Sequence, residues 1–260
     1  MKKLLTALTA VVLTVCMGGG SLLAISCSNS AGGSGGDDSV TYVGSKNPTE
    51  AKAVGDIVFN DGSAESYSEN LNLSTAQQAA AVAVIFYTAP TANYDLGSKT
   101  LGVGLKHLVG KPWARYTSDS EKAIGYENKL DGTFGMPNAL SETDGSSNTN
   151  AMKILTDWSS ENYPAAYFAA TYTVSGFTNG WYLPAWKELS ALYEVKSVVD
   201  RSMDKLALNP NCNKLGAASG HWTSTQDPST AINAKYVVSG GYLLSGDKNH
   251  SDAVRAIRAF

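Results

Sequence analysis

The chain has 260 residues, 43% of them hydrophobic and 17% charged, with a formal net charge of −3. That length suffices for one large core or two small ones, and without any long basic run the electrostatic footprint of a nucleic-acid binder is missing. Low charge with 25 Gly, 13 Tyr and 5 Trp suits a loop-rich extracellular domain better than a helical cytosolic enzyme.

Residues 1–26 read as an export signal: Lys2 and Lys3 form a positive start, residues 4–17 are apolar, and small residues follow before Cys27. The segment resembles a bacterial lipoprotein signal with Cys27 as the lipidated residue. Leu23 stands four residues before that Cys and Ala24 three, a spacing tolerated in the looser spirochaete signals it is similar to. Cys16 is the competing candidate, inside the apolar run behind Val15. A plain cleaved signal and an uncleaved helix are the alternatives, the latter opposed by Gly18, Gly19 and Gly20, which interrupt a span of about 20 residues. Loss of Lys2 and Lys3 takes the net charge from −3 to −5. The expected location is the outer membrane or cell surface, with the membrane itself as a partner through the lipid. Of the three Cys, only Cys212 then remains, so neither a disulfide nor a paired-cysteine metal site is expected.

Residues 27–39 are Gly/Ser/Asp-rich and read as a flexible tether of roughly 20 Å. Residues 40–260 form the expected globular domain. Residues 40–43 and 55–59 read as strands, the second ending at the turn Asn60-Asp61-Gly62. Ser74 and Gln77 form a capping box opening an alanine-rich helix, which yields to a buried strand at residues 82–87. Residues 119–150 are polar and irregular. Helical signal returns at residues 151–158, after Pro164, after Pro184 with Trp186, Leu189, Leu192 and Tyr193 in register, and at residues 195–206. Trp158, Trp181, Trp186 and Trp222 are expected in the core. Residues 221–225, 234–238, 242–244 and 254–260 read as short strands with polar turns between them.

Catalytic patterns fail in turn. Gly102-Val103-Gly104 has His107 where a third glycine belongs, and no Gly-Lys-Ser/Thr exists. Gly216-Ala217-Ala218-Ser219-Gly220 has the wrong order for a nucleophile elbow. His107, His221 and His250 are far apart and read as structural or surface residues. Carboxylates are plentiful but the sequence cannot pair them, so a polysaccharide hydrolase stays open as the least favoured reading.

Three segments in order carry a resemblance: Gly180-Trp181-Tyr182-Leu183-Pro184-Ala185-Trp186-Lys187-Glu188-Leu189, then His221-Trp222-Thr223-Ser224-Thr225, then Val254-Arg255-Ala256-Ile257-Arg258-Ala259-Phe260. Together they are similar to the C-type lectin fold of the formylglycine-generating-enzyme type, and within it to the variable lipoproteins of diversity-generating retroelements. The resemblance implies an α+β fold of small twisted antiparallel sheets with flanking helices and long irregular loops. It also implies a non-catalytic binding face between the second and third segments, diversified at adenine-containing codons, recognising a protein or glycan. By position the matching residues are Gln226, Asp227, Ser229, Asn233, Lys235, Ser239, Tyr242, Leu244, Asp247, Asn249, His250 and Asp252. Mixed Tyr, Ser, Asn and Asp suit adaptable recognition. The plainer alternatives are ordinary solvated turns and an envelope lipoprotein without a variable face. The family's oxidase branch uses a thiol pair, which Cys212 alone cannot supply. No cofactor, metal, nucleic acid or calcium dependence is expected, and the chain is expected to be a monomer.

Overall fold

A computed structural model describes residues 40–115, 139–155, 157–230 and 232–260. The expected signal, Cys27, the tether and most of the irregular stretch beginning at Asp119 lie outside the described residues.

Residues 40–43 form no strand. The Val43 amide donates instead to the Asp61 carboxylate (2.8 Å), so a side chain takes the bond that a ladder would need. Strands β1 (Ile57–Phe59) and β2 (Ala64–Glu65) close on the expected turn, with Gly62 at φ 85°. Helix α1 (Thr75–Ala80) opens on the Ser74/Gln77 box, each side chain capping the other's amide (3.2 and 3.0 Å). It passes directly into β3 (Ala81–Tyr87), whose seven residues are all buried.

Beyond these come β4 (Leu101–Pro112), α2 (Gly145–Lys153), α3 (Pro164–Ala170), β5 (Trp181–Tyr182), α4 (Trp186–Glu194) and α5 (Lys196–Asp204). The chain ends with β6 (Gly220–Gln226), β7 (Asn233–Val238), β8 (Leu243–Asp247) and β9 (Ser251–Ala259). Strand β4 is longer than any other described strand and had no counterpart in the sequence reading. Helix α2 starts at Gly145 instead of Ala151, its first turn capped by Asp144 accepting the Ser147 amide (3.2 Å). Trp222 and Trp181 are core residues, whereas Trp158 and Trp186 are only half-buried.

The fold is α+β: one nine-stranded sheet in the order β2-β1-β3-β4-β9-β6-β7-β8, with β5 also paired to β9. All pairings are antiparallel except β6 with β9, which meet in parallel at a single register point, His221 opposite Ala253. That point is the seam between two halves of the sheet. Helices α4 and α5 cover one face, with Leu189, Leu192, Val199 and Met203 against Val84, Val103, Ile257 and Val237. Helices α2 and α3 cover the other, with Met152, Ala165, Ala166 and Ala169 against Val58, Ile85, Val254, Ala256 and Trp222. Covering on both sides is why β3 reads as an unbroken apolar run.

Candidate ligand-binding face

The C-terminal half of the sheet is built on an unusual strand. All of β6 is buried, yet most of its residues are polar. Each polar side chain has a partner elsewhere in the fold. Thr223 Oγ1 donates to the Lys235 carbonyl (2.8 Å). Asn148 Nδ2 donates to Ser224 Oγ (3.1 Å). Thr225 Oγ1 donates to the Ser141 carbonyl (2.9 Å) and accepts the Trp186 amide (3.1 Å), so it also caps α4. Lys248 Nζ donates to Gln226 Oε1 (2.9 Å) beneath the Trp113 ring. Buried polar groups stay inside only when bonded, which fixes β6 in one position.

Asp227, at the end of β6, ties the outer strands to it. Its Oδ1 accepts the Ser229 amide (2.8 Å) and hydroxyl (2.6 Å), and its Oδ2 accepts Lys235 Nζ (2.9 Å) and the Ser245 hydroxyl. Burial would raise this carboxyl, but those bonds outweigh it and hold it well below the usual carboxylate range. Register then defines a face. Asn233 opposes Asp247 and Lys235 opposes Ser245, so these four side chains share one side of the β7–β8 ladder. Val237 and Leu243, farther along the same side, turn into the core.

The twelve residues expected to bind ligand therefore do not form one patch. Ser229, Asn233, Lys235, Asp247, Asn249 and His250 gather at one end of the ladder, half-buried or exposed; the Asp247 carboxylate and carbonyl accept the Asn249 and His250 amides (2.9 and 2.8 Å). Ser239 and Tyr242 lie at the opposite end, and Tyr242 is 72% exposed. Leu244 sits on the reverse face beside Tyr236, which packs edge-on against Trp222. Gln226, Asp227 and Asp252 are buried, and the first two act as supports and are not displayed. Sequence reading missed Ser245, because it ended this strand at residue 244; two-residue alternation continued to Asp247 would have found it. It also missed Glu142 and Lys187, an ion pair (2.9 Å) at the start of α4, with Glu142 in electrostatic range of Lys235.

Other chemistry-bearing groups are committed to the fold. Burial pushes the Glu188 carboxyl up to about 7, against the Ala185 amide, Lys99 and the Gly145 amide. Its Oε2 accepts the Ala185 and Gly145 amides (2.8 and 3.0 Å) and its Oε1 accepts the Tyr182 hydroxyl (3.0 Å), so it clamps α2, β5 and α4 together. Cys212 is half-buried, and burial pushes its thiol up to about 11, far from a reactive thiolate. His221 is fully buried, while His250 is exposed. Among the described residues no group of three His, Cys, Asp or Glu side chains is placed to hold a metal ion.

The chain matches no protein-family model and no curated protein sequence.

Proposed function

We propose that this protein is a lipoprotein of the cell envelope that binds a protein or glycan ligand, without catalysis, through the end of the β7–β8 ladder. The observation that carries the reading is the pairing of Asn233, Lys235, Ser245 and Asp247 on one side of two strands, with Lys235 and Ser245 anchored to the buried Asp227. A rigid polar layer beneath and exchangeable side chains above are what an adaptable recognition surface requires. Relative to the sequence expectation the face is narrower: Ser229, Asn233, Lys235, Ser245, Asp247, Asn249 and His250.

A C-type-lectin-like fold is proposed on the same footing. Its support is that the three segments carrying the resemblance converge on one strand: Trp181 and Tyr182 pair with Arg258 and Ile257, and His221 pairs with Ala253. Retroelement diversification remains part of the proposal; it requires substitutions among close paralogues to be confined to adenine-containing codons of the face.

Binding is tested on immobilised glycan and surface-protein arrays. A specific signal should appear with the native chain and vanish when Asn233, Asp247 and Asn249 are changed together to Ala. A signal that survives this change places recognition elsewhere. Anchoring is tested separately by palmitate labelling in the native host, expected to be lost in Cys27→Ala and unaffected in Cys16→Ala.

A further inference from the structure

Strands β3 and β4 separate before either ends. Their pairing stops at Ala83 opposite Gly104, although β3 begins at Ala81 and β4 runs on to Pro112. Past that point the β4 backbone bonds elsewhere. The Leu105 carbonyl accepts the Asn213 amide (3.0 Å) and Arg255 Nη1 (2.8 Å), and the Lys106 amide donates to the Tyr172 hydroxyl (3.2 Å). Asn209 holds the far wall. Its Nδ2 donates to the Gln78 carbonyl (2.9 Å) and its Oδ1 accepts the Asn211 amide (3.0 Å), which ties the loop after α5 to the junction of α1 and β3. The opening is a cavity of about 330 Å³ whose lining includes Asn60, Val82, Lys106, Tyr172, Ser175 and Asn211. That volume falls at the small end of the range for small-molecule sites.

The Tyr172 hydroxyl is fixed in this wall. The residue is 6% exposed, and its ring packs edge-on against Trp181 (centroids 4.8 Å apart) and Phe168 (5.8 Å). Burial raises the phenol, against the lowering effect of the Lys106 amide, so the proton stays on the oxygen. The oxygen accepts the Lys106 amide, but among the described residues no acceptor takes its hydrogen. A buried donor without an acceptor calls for one from outside the fold.

A cation stands on the same side of the sheet. Leu101, Val103 and Leu105 turn toward α4 and α5, which leaves Gly104 and Lys106 on the side of Tyr172, as the tyrosine ring lying over Gly104 shows. Lys106 is exposed and makes no ion pair among the described residues. No Asp or Glu lines the cavity, so its walls carry one positive charge and no negative one. The remaining polar groups are uncommitted. Asn60 Nδ2 reaches Ser175 Oγ only at 3.5 Å, and the Asn211 side chain has no hydrogen-bond partner among the described residues.

We infer that this cleft binds a small hydroxylated carboxylate of monosaccharide size, a sugar acid, with its carboxylate on Lys106 Nζ and the Tyr172 hydroxyl and its own hydroxyls on Asn60, Ser175 and Asn211. A carboxylate supplies the acceptor that Tyr172 lacks and a counter-charge for Lys106, while amide and hydroxyl side chains both give and accept bonds, as a polyol requires. The site is independent of the recognition face: no residue of that face lines it, and β7 and β8 stand at the other end of the strand order.

The test is thermal unfolding of the full chain at fixed pH and ionic strength, titrated with sodium glucuronate and sodium gluconate and, as controls, glucose and sodium acetate. A sugar acid should give a saturable rise in Tm, reaching roughly 3–5 °C at ten times its Kd, and the stronger of the two acids tells a ring from an open chain. Glucose and acetate, each with half of the recognised chemistry, should give little at the same concentration. Lys106→Gln, at an exposed position, and Tyr172→Phe, which keeps the ring, should each raise the half-effect concentration about tenfold or more. The combined Ala variant at Asn233, Asp247 and Asn249 should leave the titration unchanged, so failure here and failure of the face are read separately. No saturable rise with either acid, an equal rise with acetate, or a rise that survives both Lys106→Gln and Tyr172→Phe would overturn the site.

Discussion

Strands β3 and β6 are both seven residues long and both wholly buried, but they are held by different physics. β3 is Ala-Val-Ala-Val-Ile-Phe-Tyr, and burial of apolar area stabilises it from both faces. β6 is Gly-His-Trp-Thr-Ser-Thr-Gln, and nearly every side chain is inside because a specific donor or acceptor waits for it. An apolar strand tolerates small rearrangement; a polar one holds a single register, because a slip leaves several groups unsatisfied at once. The half of the molecule that offers the candidate face is thus positioned by hydrogen bonds, and the half that carries the α1–β3 unit by area.

The comparison can be broken most severely in β3. Ile85→Ala should cost about 2–5 kcal/mol in denaturant unfolding, since Ile85 is fully buried and a cavity would remain. In β6, Thr225→Val preserves shape but strips the Trp186 amide and the Ser141 carbonyl of their partner, an expected loss of about 1–3 kcal/mol. A loss below a few tenths in that variant would mean that β6 too is held by area.

Acidity separates the halves more finely. His221 is pushed down to about 3 by burial, Arg255, His107 and Lys196. As pH falls below 6.5 the unfolded chain takes up a proton that the folded one refuses, so stability erodes toward pH 3, at up to about 1.4 kcal/mol per pH unit. Glu188 works in the opposite sense. Its folded value of about 7 lies above the ordinary 4.5, so its contribution is present below pH 4.5 and lost as pH rises through 7. The two slopes offset each other between pH 4.5 and 6.5, and the native protein should lose stability mainly below 4.5. In Glu188→Gln the decline should begin near 6.5, read from the pH dependence of Tm. The smallest effects belong to exposed side chains at the two ends of the β7–β8 ladder: Tyr242→Ala and Asn249→Ala should each move stability by no more than about 0.5 kcal/mol.

How far the sequence revealed this follows from the same contrast. β3, α4 and α5 were legible because apolar periodicity states burial directly. β6 was legible as a strand, but not its partners, which lie on segments as distant as Asn148 and Lys248. β4 was missed because Gly102 and Gly104 interrupt its pattern. Those glycines are there because aromatic rings lie on the strand: a Cβ at Gly102 would sit 2.6 Å from the Phe260 ring, and one at Gly104 3.0 Å from the Tyr172 ring. The face was half legible. Its turn residues were named, yet Asp227 and Gln226 went inside, and Leu244 to the reverse side, for reasons of strand parity that depend on where β8 ends. Arg255 gave no sign of its burial, since an Arg alternating along a terminal strand normally reads as solvent-facing.

A deep mutational scan of residues 226–252, read by the amount of folded protein displayed, tests the account most directly. Ser229, Asn233, Tyr242, Asp247, Asn249 and His250 should accept most substitutions, while Gln226, Asp227, Ala234, Val237, Lys248 and Asp252 should accept few. Uniform intolerance across the stretch, or tolerance at Asp227 equal to that at Asn249, would contradict a fixed polar layer carrying an exchangeable surface.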